Sequence, residues 1–297
     1  MEIKNVIICG LGALGLTYAN KLKDICNLKI LADSKRIENY KKNPPIFNDK
    51  PIKFDYITPK DSFYADLIII TTKSTGLDSA IEYLRNFITT NTIIISLING
   101  ISSEEKIVQA YPTTKVLRSF FIGHSAIGEN FSNNQKKYYQ DGIGKIVLEP
   151  NNDLEKFFIN NSIDFEISND ISYSLWLKLG VNIILNELTA INKCTVGELR
   201  KNPEYLPLAK NLLKEVKEVA KAHGIKNLEN YEQKVLESAN LIADDGKTSM
   251  FQDILARKKT EVDIFSGEII RLGNKYGIKT PYNEEIYSKI KLLEKEF

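Results

Sequence analysis

At 297 residues the chain exceeds the usual size of a single domain, and 43% hydrophobic with 26% charged residues is ordinary globular composition. A formal charge of +2, with no basic block, leaves a nucleic-acid surface nothing to rest on. Three cysteines without paired spacing, Cys9, Cys26 and Cys194, disfavour a disulfide framework or a metal site, and no apolar run approaches the ~20 residues of a membrane span.

The N-terminus has no signal-peptide layout, so a soluble, cytoplasmic protein is expected. Residues 5–9 (NVIIC) form a continuous branched apolar run, as expected of a strand buried on both faces. They lead into Gly10-Leu11-Gly12-Ala13-Leu14-Gly15 and a helical stretch over residues 16–24. This is G-x-G-x-x-G between strand and helix. Its glycines allow a tight turn, close approach of a pyrophosphate and close helix–strand packing, and the helix N-terminus supplies N–H groups and a positive dipole end. A second strand over 28–32 ends at Asp33, where a carboxylate suits a ribose 2′-hydroxyl and repels a 2′-phosphate. Lys35 and Arg36 follow at once, and Asp33 could equally cap the turn, so the choice between NADPH and NADH stays open.

Residues 43–51 (NPPIFNDKP) read as a surface loop. Strands at 66–71, 92–97 and 116–121 alternate with helices at 76–87 and 102–110, which implies a parallel, doubly wound sheet. Lys73 and Asn99 fall beyond the carboxyl ends of strands, where such sheets bind ligands, although a solvated lysine and an Asn-Gly turn are the plain alternatives. After His124, Ser125 and Ala126 comes a polar segment to about residue 140. Residues 142–148 and 165–167 look like edge strands finishing a domain over 1–168. His124 lacks a nearby carboxylate, so a packed or exposed histidine is its simplest reading. His223, before Gly224, suits a helix C-terminus.

From residue 169 to 297 helical periodicity takes over. The run 173–193 (YSLWLKLGVNIILNELTAINK) is apolar nearly all round. At ~100° per residue, Lys178, Asn182, Asn186 and Thr189 share an arc of roughly 80°. This is a buried helix aiming a lysine and two amides at something polar. Further helices are expected over 203–223 and 231–243. A capping box at Ser249-Met250-Phe251-Gln252 should open a helix running to 276, and a last helix begins at Pro281. On that long helix Glu261 could simply pair with Arg257, and Ser249 could simply be the cap.

Taken together, these positions resemble the ketopantoate reductases (2-dehydropantoate 2-reductases) over essentially the whole chain. The resemblance rests on Gly10-x-Gly12-x-x-Gly15, Lys73, Asn99-Gly100, the segment WLKLGVNIILNELTA from Trp176 to Ala190, Gly197-Glu198-Leu199, Ser249-Met250-x-Gln252-Asp253 and Thr260-Glu261-x-Asp263. It implies a Rossmann-like α/β domain followed by an all-α domain, and reduction of 2-dehydropantoate to pantoate by NADPH in pantothenate and coenzyme A biosynthesis. Lys178 would be the general acid. Asn99, Asn182, Asn186 and Ser249 would hold substrate beside Lys178, while Glu261 would orient Lys178 and touch the cofactor. Ala126 would lie beside the nicotinamide, with the Gly10–Gly15 loop, Lys73 and Asn99 on the rest of the dinucleotide. An ammonium aimed at the carbonyl oxygen suits the charge that develops there, and substrate placed between the domains would suit closure around it.

Three positions depart from the pattern. Val196 and Gly246 stand where the family often has substrate-side asparagines, and Asp33 stands where a basic residue would grip a 2′-phosphate. These departures keep a paralogous reductase of another branched 2-oxo acid, using NADH, in contention. A dinucleotide sensor without turnover would have no need of Lys178 and Glu261. The sequence does not fix the oligomeric state, and a homodimer is among the options.

Overall fold

The branched runs do what their composition dictates. In the computed structural model, which describes residues 1–123, 127–130, 136–139 and 144–297, the chain divides into two units, Met1–Ile171 and Ser172–Phe297. The first begins β1 (Asn5–Cys9), α1 (Ala13–Leu22), β2 (Asn27–Leu31), α2 (Ser34–Lys42), β3 (Ile46–Phe47), β4 (Lys50–Pro51) and β5 (Tyr56–Ile57). It continues with β6 (Leu67–Ile70), α3 (Leu77–Tyr83), β7 (Ile93–Ser96), α4 (Ser103–Ala110) and β8 (Lys115–Leu117). Six of these strands form a wholly parallel sheet in the order β5-β2-β1-β6-β7-β8. Val6, Ile7, Ile8, every residue of β6 and Ile93 to Ile95 are fully buried, as an apolar run without alternation requires.

Strand order reverses direction between β1 and β6. There Cys9 pairs with Ile70, and Ile70 with Ser96, so the turns after β1, β6 and β7 leave the sheet along one edge. Open parallel sheets take ligands at this switch point.

Three sequence expectations change in this unit. The strand expected over 116–121 is interrupted at Arg118: β8 ends the main sheet, while β9 (Ser119–Ile122) joins another. That sheet has the order β13-β12-β9, so β12 (Lys145–Leu148) is its central strand and β13 (Phe165–Ile167) its edge, with α5 (Asn152–Asn160) between them in sequence. The expected loop over 43–51 contains the β3–β4 hairpin, turned by Asn48 and Asp49 at positive φ. This hairpin extends the pair β10 (Ile127–Asn130) and β11 (Lys136–Tyr139). Two-residue strands carry no periodicity, so composition alone reads them as loop.

In the second unit α6 (Ile171–Val181) passes into a six-residue π-helical segment (Asn182–Glu187) and then α7 (Leu188–Asn192), ended by Lys193 at φ 49°. There follow α8 (Val196–Lys201), α9 (Tyr205–Ala222), α10 (Tyr231–Asn240), α11 (Ser249–Leu255), α12 (Ser266–Tyr276) and α13 (Pro281–Glu294). The single α-helix expected over 173–193 is therefore interrupted by the π segment. The helix expected over 249–276 is two helices. Between them Arg257 adopts φ 50°, and Thr260 is tied through its N–H and hydroxyl to Glu294 Oε1 at 2.7 and 2.6 Å. The exposed run Arg257-Lys258-Lys259 has no apolar face to bury, so nothing there sustains a helix.

Candidate active site

In the first unit the glycines differ in what they accommodate. Gly10 sits at φ +105°, and a side chain there would also strike Thr71 and Thr72 backbone below 3 Å. A Cβ on Gly15 would lie 1.9 Å from Gly10 O, so this glycine lets α1 close on the loop. Gly12 has nothing within 4 Å of its Cβ position and leaves α1 without a side-chain cap. Thr71 fixes the turn, its hydroxyl 2.8 Å from Gly10 O and 3.1 Å from Cys9 O. The buried hydroxyl of Thr72 has no hydrogen-bond partner among the described residues. Open space over Gly12, an uncapped helix start and an orphan buried hydroxyl at the switch point fit a dinucleotide pyrophosphate.

Leu11, Ala13 and Leu14 shape this loop and the first turn of α1. Lys73 is exposed just beyond β6, and Asn99 is half-buried beside Gly100 at φ +92°. Asp33 takes its capping role: its carboxylate accepts the Arg36 N–H at 2.8 Å at the start of α2 and pairs with the Arg36 guanidinium at 3.3 Å. His124 and Ala126 lie outside the described residues. His223 stands at the end of α9 with Nδ1 3.0 Å from the Tyr276 hydroxyl, a packing role.

In the second unit Lys178 occupies the last turn of α6, half-buried, one turn before the π segment. Asn182 is buried, and its Nδ2 has no hydrogen-bond partner among the described residues. Asn186 Nδ2 lies 3.3 Å from Ser249 Oγ and 3.5 Å from Asn182 Oδ1, so the amides and the serine form one cluster. Ser249 is not the cap. Thr248 is, accepting from Phe251 N at 3.3 Å, while Gln252 donates to Lys247 O. This leaves the Ser249 hydroxyl at the cluster. Thr189 donates to Leu185 O at 2.7 Å and contacts the Thr248 hydroxyl at 2.7 Å, locking α7 to the start of α11. Glu261 is half-buried at the start of a short 3₁₀ turn (Val262–Ile264), and Arg257 turns away from it to donate to Glu296 O.

Two of the three departures, Val196 and Gly246, meet each other. Val196 is fully buried, its N–H donates to Gly246 O at 3.1 Å, and a Cβ on Gly246 would touch Val196 Cγ2 at 3.8 Å but press on Ala243 O at 2.9 Å. Sequence reasoning gave Glu187 no role. It is fully buried in the π segment, accepts the Ser266 N–H at 3.0 Å, and burial pushes its carboxyl up to about 8. The available signal was one acid inside an otherwise apolar run.

A dinucleotide cradle on a parallel sheet, joined to a helical unit bearing a lysine and a cluster of amides, defines an NAD(P)H-dependent oxidoreductase. The family models for ketopantoate reductase PanE/ApbA and its C-terminal part match residues 6–153 and 170–294, and the chain belongs to the ketopantoate reductase family. It is 29% identical to 2-dehydropantoate 2-reductase of Vibrio cholerae, with 99% of each chain covered, and 26% identical to that of Aquifex aeolicus, covering 98% of this chain and 97% of the other. Among solved structures, D-mandelate dehydrogenase with NADH and anilino(oxo)acetate superposes with TM-score 0.86 at 21% identity, covering 98% and 99%. A dimeric ketopantoate reductase from Staphylococcus aureus does so with TM-score 0.77 at 24% identity, over the same shares. No helix among the described residues is long and apolar enough to cross a membrane.

Proposed function

We propose that this chain reduces 2-dehydropantoate to pantoate with NADPH. The observation that supports this most is the Asn182–Asn186–Ser249 cluster, one turn from Lys178, with a buried amide donor awaiting an acceptor. A buried unpaired N–H costs ~1–3 kcal/mol and is tolerated where a ligand satisfies it. A substrate carboxylate or hydroxyl would do so.

The Gly10–Gly15 loop would hold a nicotinamide dinucleotide, which when bound would supply hydride chemistry for C2 of the 2-oxo acid. The Lys178 ammonium stabilises negative charge gathering on the carbonyl oxygen and delivers a proton to it, then regains one from solvent. Asn182 donates its unpartnered Nδ2 hydrogens to the substrate, and Asn186 and Ser249, already bonded to each other, hold it beside Asn182. Glu261 orients the Lys178 ammonium and keeps it charged. Asn99 and Lys73, at the switch-point edge, serve substrate and dinucleotide. A homodimer is the proposed assembly, as in the dimeric Staphylococcus aureus relative.

A second reading is favoured by the packed Val196–Gly246 contact. An apolar pair there presents no side-chain donor to a substrate hydroxyl, which suits a 2-oxo acid with a plainer branched side chain. Likewise the Asp33–Arg36 pair leaves NADH an alternative to NADPH.

Oxidation of NADPH and NADH, followed by absorbance against a panel of 2-oxo acids, separates these readings. Lys178→Ala should bind cofactor normally yet lose kcat by about 10²–10⁴, the usual worth of a positioned acid. Near-normal turnover in that variant would remove the mechanism.

A further inference from the structure

The proposed reaction makes no use of four buried side chains that run between helices of the second unit. Glu187 Oε2 lies 2.5 Å from Ser266 Oγ, Ser266 Oγ lies 3.1 Å from Asn283 Oδ1, and Asn283 Nδ2 lies 2.7 Å from Glu215 Oε2. Glu187, Ser266 and Asn283 are fully buried and Glu215 nearly so. Two ionised carboxylates cannot satisfy these three links. The hydroxyl has one proton, and the amide donates at one end and accepts at the other. Whichever way the amide faces, one of the two carboxyls must carry a proton.

The surroundings decide which. Glu215 accepts the Tyr282 and Asn283 N–H groups at 2.9 and 3.0 Å in the first turn of α13, where the helix dipole also favours charge. Glu187 accepts only the Ser266 N–H from the backbone and has no access to water. Burial outweighs both its Ser266 hydrogen bonds. The charged groups on the surrounding elements stand elsewhere: Glu268 of α12 pairs with Arg271, Glu284 of α13 lies by Thr280, and Lys217 of α9 holds Glu232. Asp253 of α11 is half-buried, and none of these four acids bonds to Ser266 or Asn283.

We propose that Glu187 is a neutral, proton-carrying positioning residue, whose carboxylic acid donates to Ser266 Oγ and so pins the π segment bearing Asn182 and Asn186 to the start of α12. Ser266 follows Glu261 closely in sequence, so the same link sets the amide cluster against the segment that carries Glu261. Loss of the proton leaves one hydroxyl hydrogen for two acceptors and adds a second charge to a dry chain. One link must then open, and the amide cluster loosens. The effect on catalysis rests on the function proposed above, whereas the proton assignment does not.

The test uses the full chain labelled with ¹³C at glutamate carboxyls, titrated from about pH 6 to about pH 10. The expected result is a protonated glutamic acid signal at neutral pH that titrates near 8 and is missing in Glu187→Gln. Over the same range KM for the 2-oxo acid should rise several-fold in the wild type with kcat little changed. The profile should be flat in Glu187→Gln, whose amide still donates to Ser266, and KM should be raised at every pH in Ser266→Ala. Absence of that signal in the wild type overturns the assignment. The positioning role falls if Glu187→Gln keeps the alkaline rise in KM. Should the wild type reduce no 2-oxo acid, the proposed function fails while the carboxyl signal alone still supports or overturns the assignment.

Discussion

At the scale of single residues, Asn182 separates stability from function most sharply. Its buried Nδ2 contributes no hydrogen bond to the fold, so removing it relieves a desolvated donor. Asn182→Ala removes this donor together with the long 3.5 Å acceptor contact to Asn186, so the thermal midpoint should change little, while kcat/KM falls by about 10–100-fold, as ~1–3 kcal/mol of lost substrate hydrogen bonding implies. Calorimetry and steady-state kinetics on the same preparation check both halves. Equal loss of stability and activity would mean that Asn182 is part of the scaffold. Val196 and Gly246 make the complementary case: they pack on each other and are joined through backbone, so they shape the chain there without offering a polar side chain.

At the scale of elements, the glycine loop offers a comparison within one motif. Gly12→Ala adds a methyl into open space and should fold like the wild type yet bind NAD(P)H far more weakly, because the methyl fills the pyrophosphate's approach. Gly15→Ala drives a carbon against Gly10 O and should destabilise the protein by about 1–3 kcal/mol, as overpacking does. Denaturant melts and fluorescence titration with NADPH distinguish the two. The loop was readable because a strand, a fixed glycine spacing and a helix occur together. Lys178, Asn182 and Asn186 were readable because polar residues on an apolar helix stand out. What the sequence hid were interruptions. The π segment leaves no compositional mark, the break after Leu255 lies in a run that keeps good helix formers, and the cap shifts by one residue from Ser249 to Thr248. That single shift decides whether the serine serves the helix or the amide cluster, and capping patterns do not resolve it.

For the molecule as a whole, the folded state holds a proton that the unfolded chain releases at acid pH. Glu187 in the fold titrates near 8, far above the ordinary carboxyl near ~4.3. The sign follows directly: stability from this group is complete below about pH 4 and is lost as pH rises to about 8, after which it changes no further. The wild-type thermal midpoint should carry this downward slope across the neutral range, and Glu187→Gln should remove it and be the more stable protein in mild alkali. A slope unchanged by that substitution would place the titration elsewhere.

The π segment has one more consequence, for phase. A π turn takes up about one residue more than the α turn it replaces, so side chains after it are rotated by ~100° from where an unbroken α-helix would aim them. Lys178 precedes that offset, whereas the buried contacts of Glu187 and Thr189 come at and beyond it. One uninterrupted helix would bring either set into place, not both. Deleting a single residue such as Ile184 would restore ordinary winding and leave Lys178 where it is, but swing Glu187 off Ser266. In this protein the length of one apolar stretch, more than its composition, keeps Lys178 and the buried acid in step.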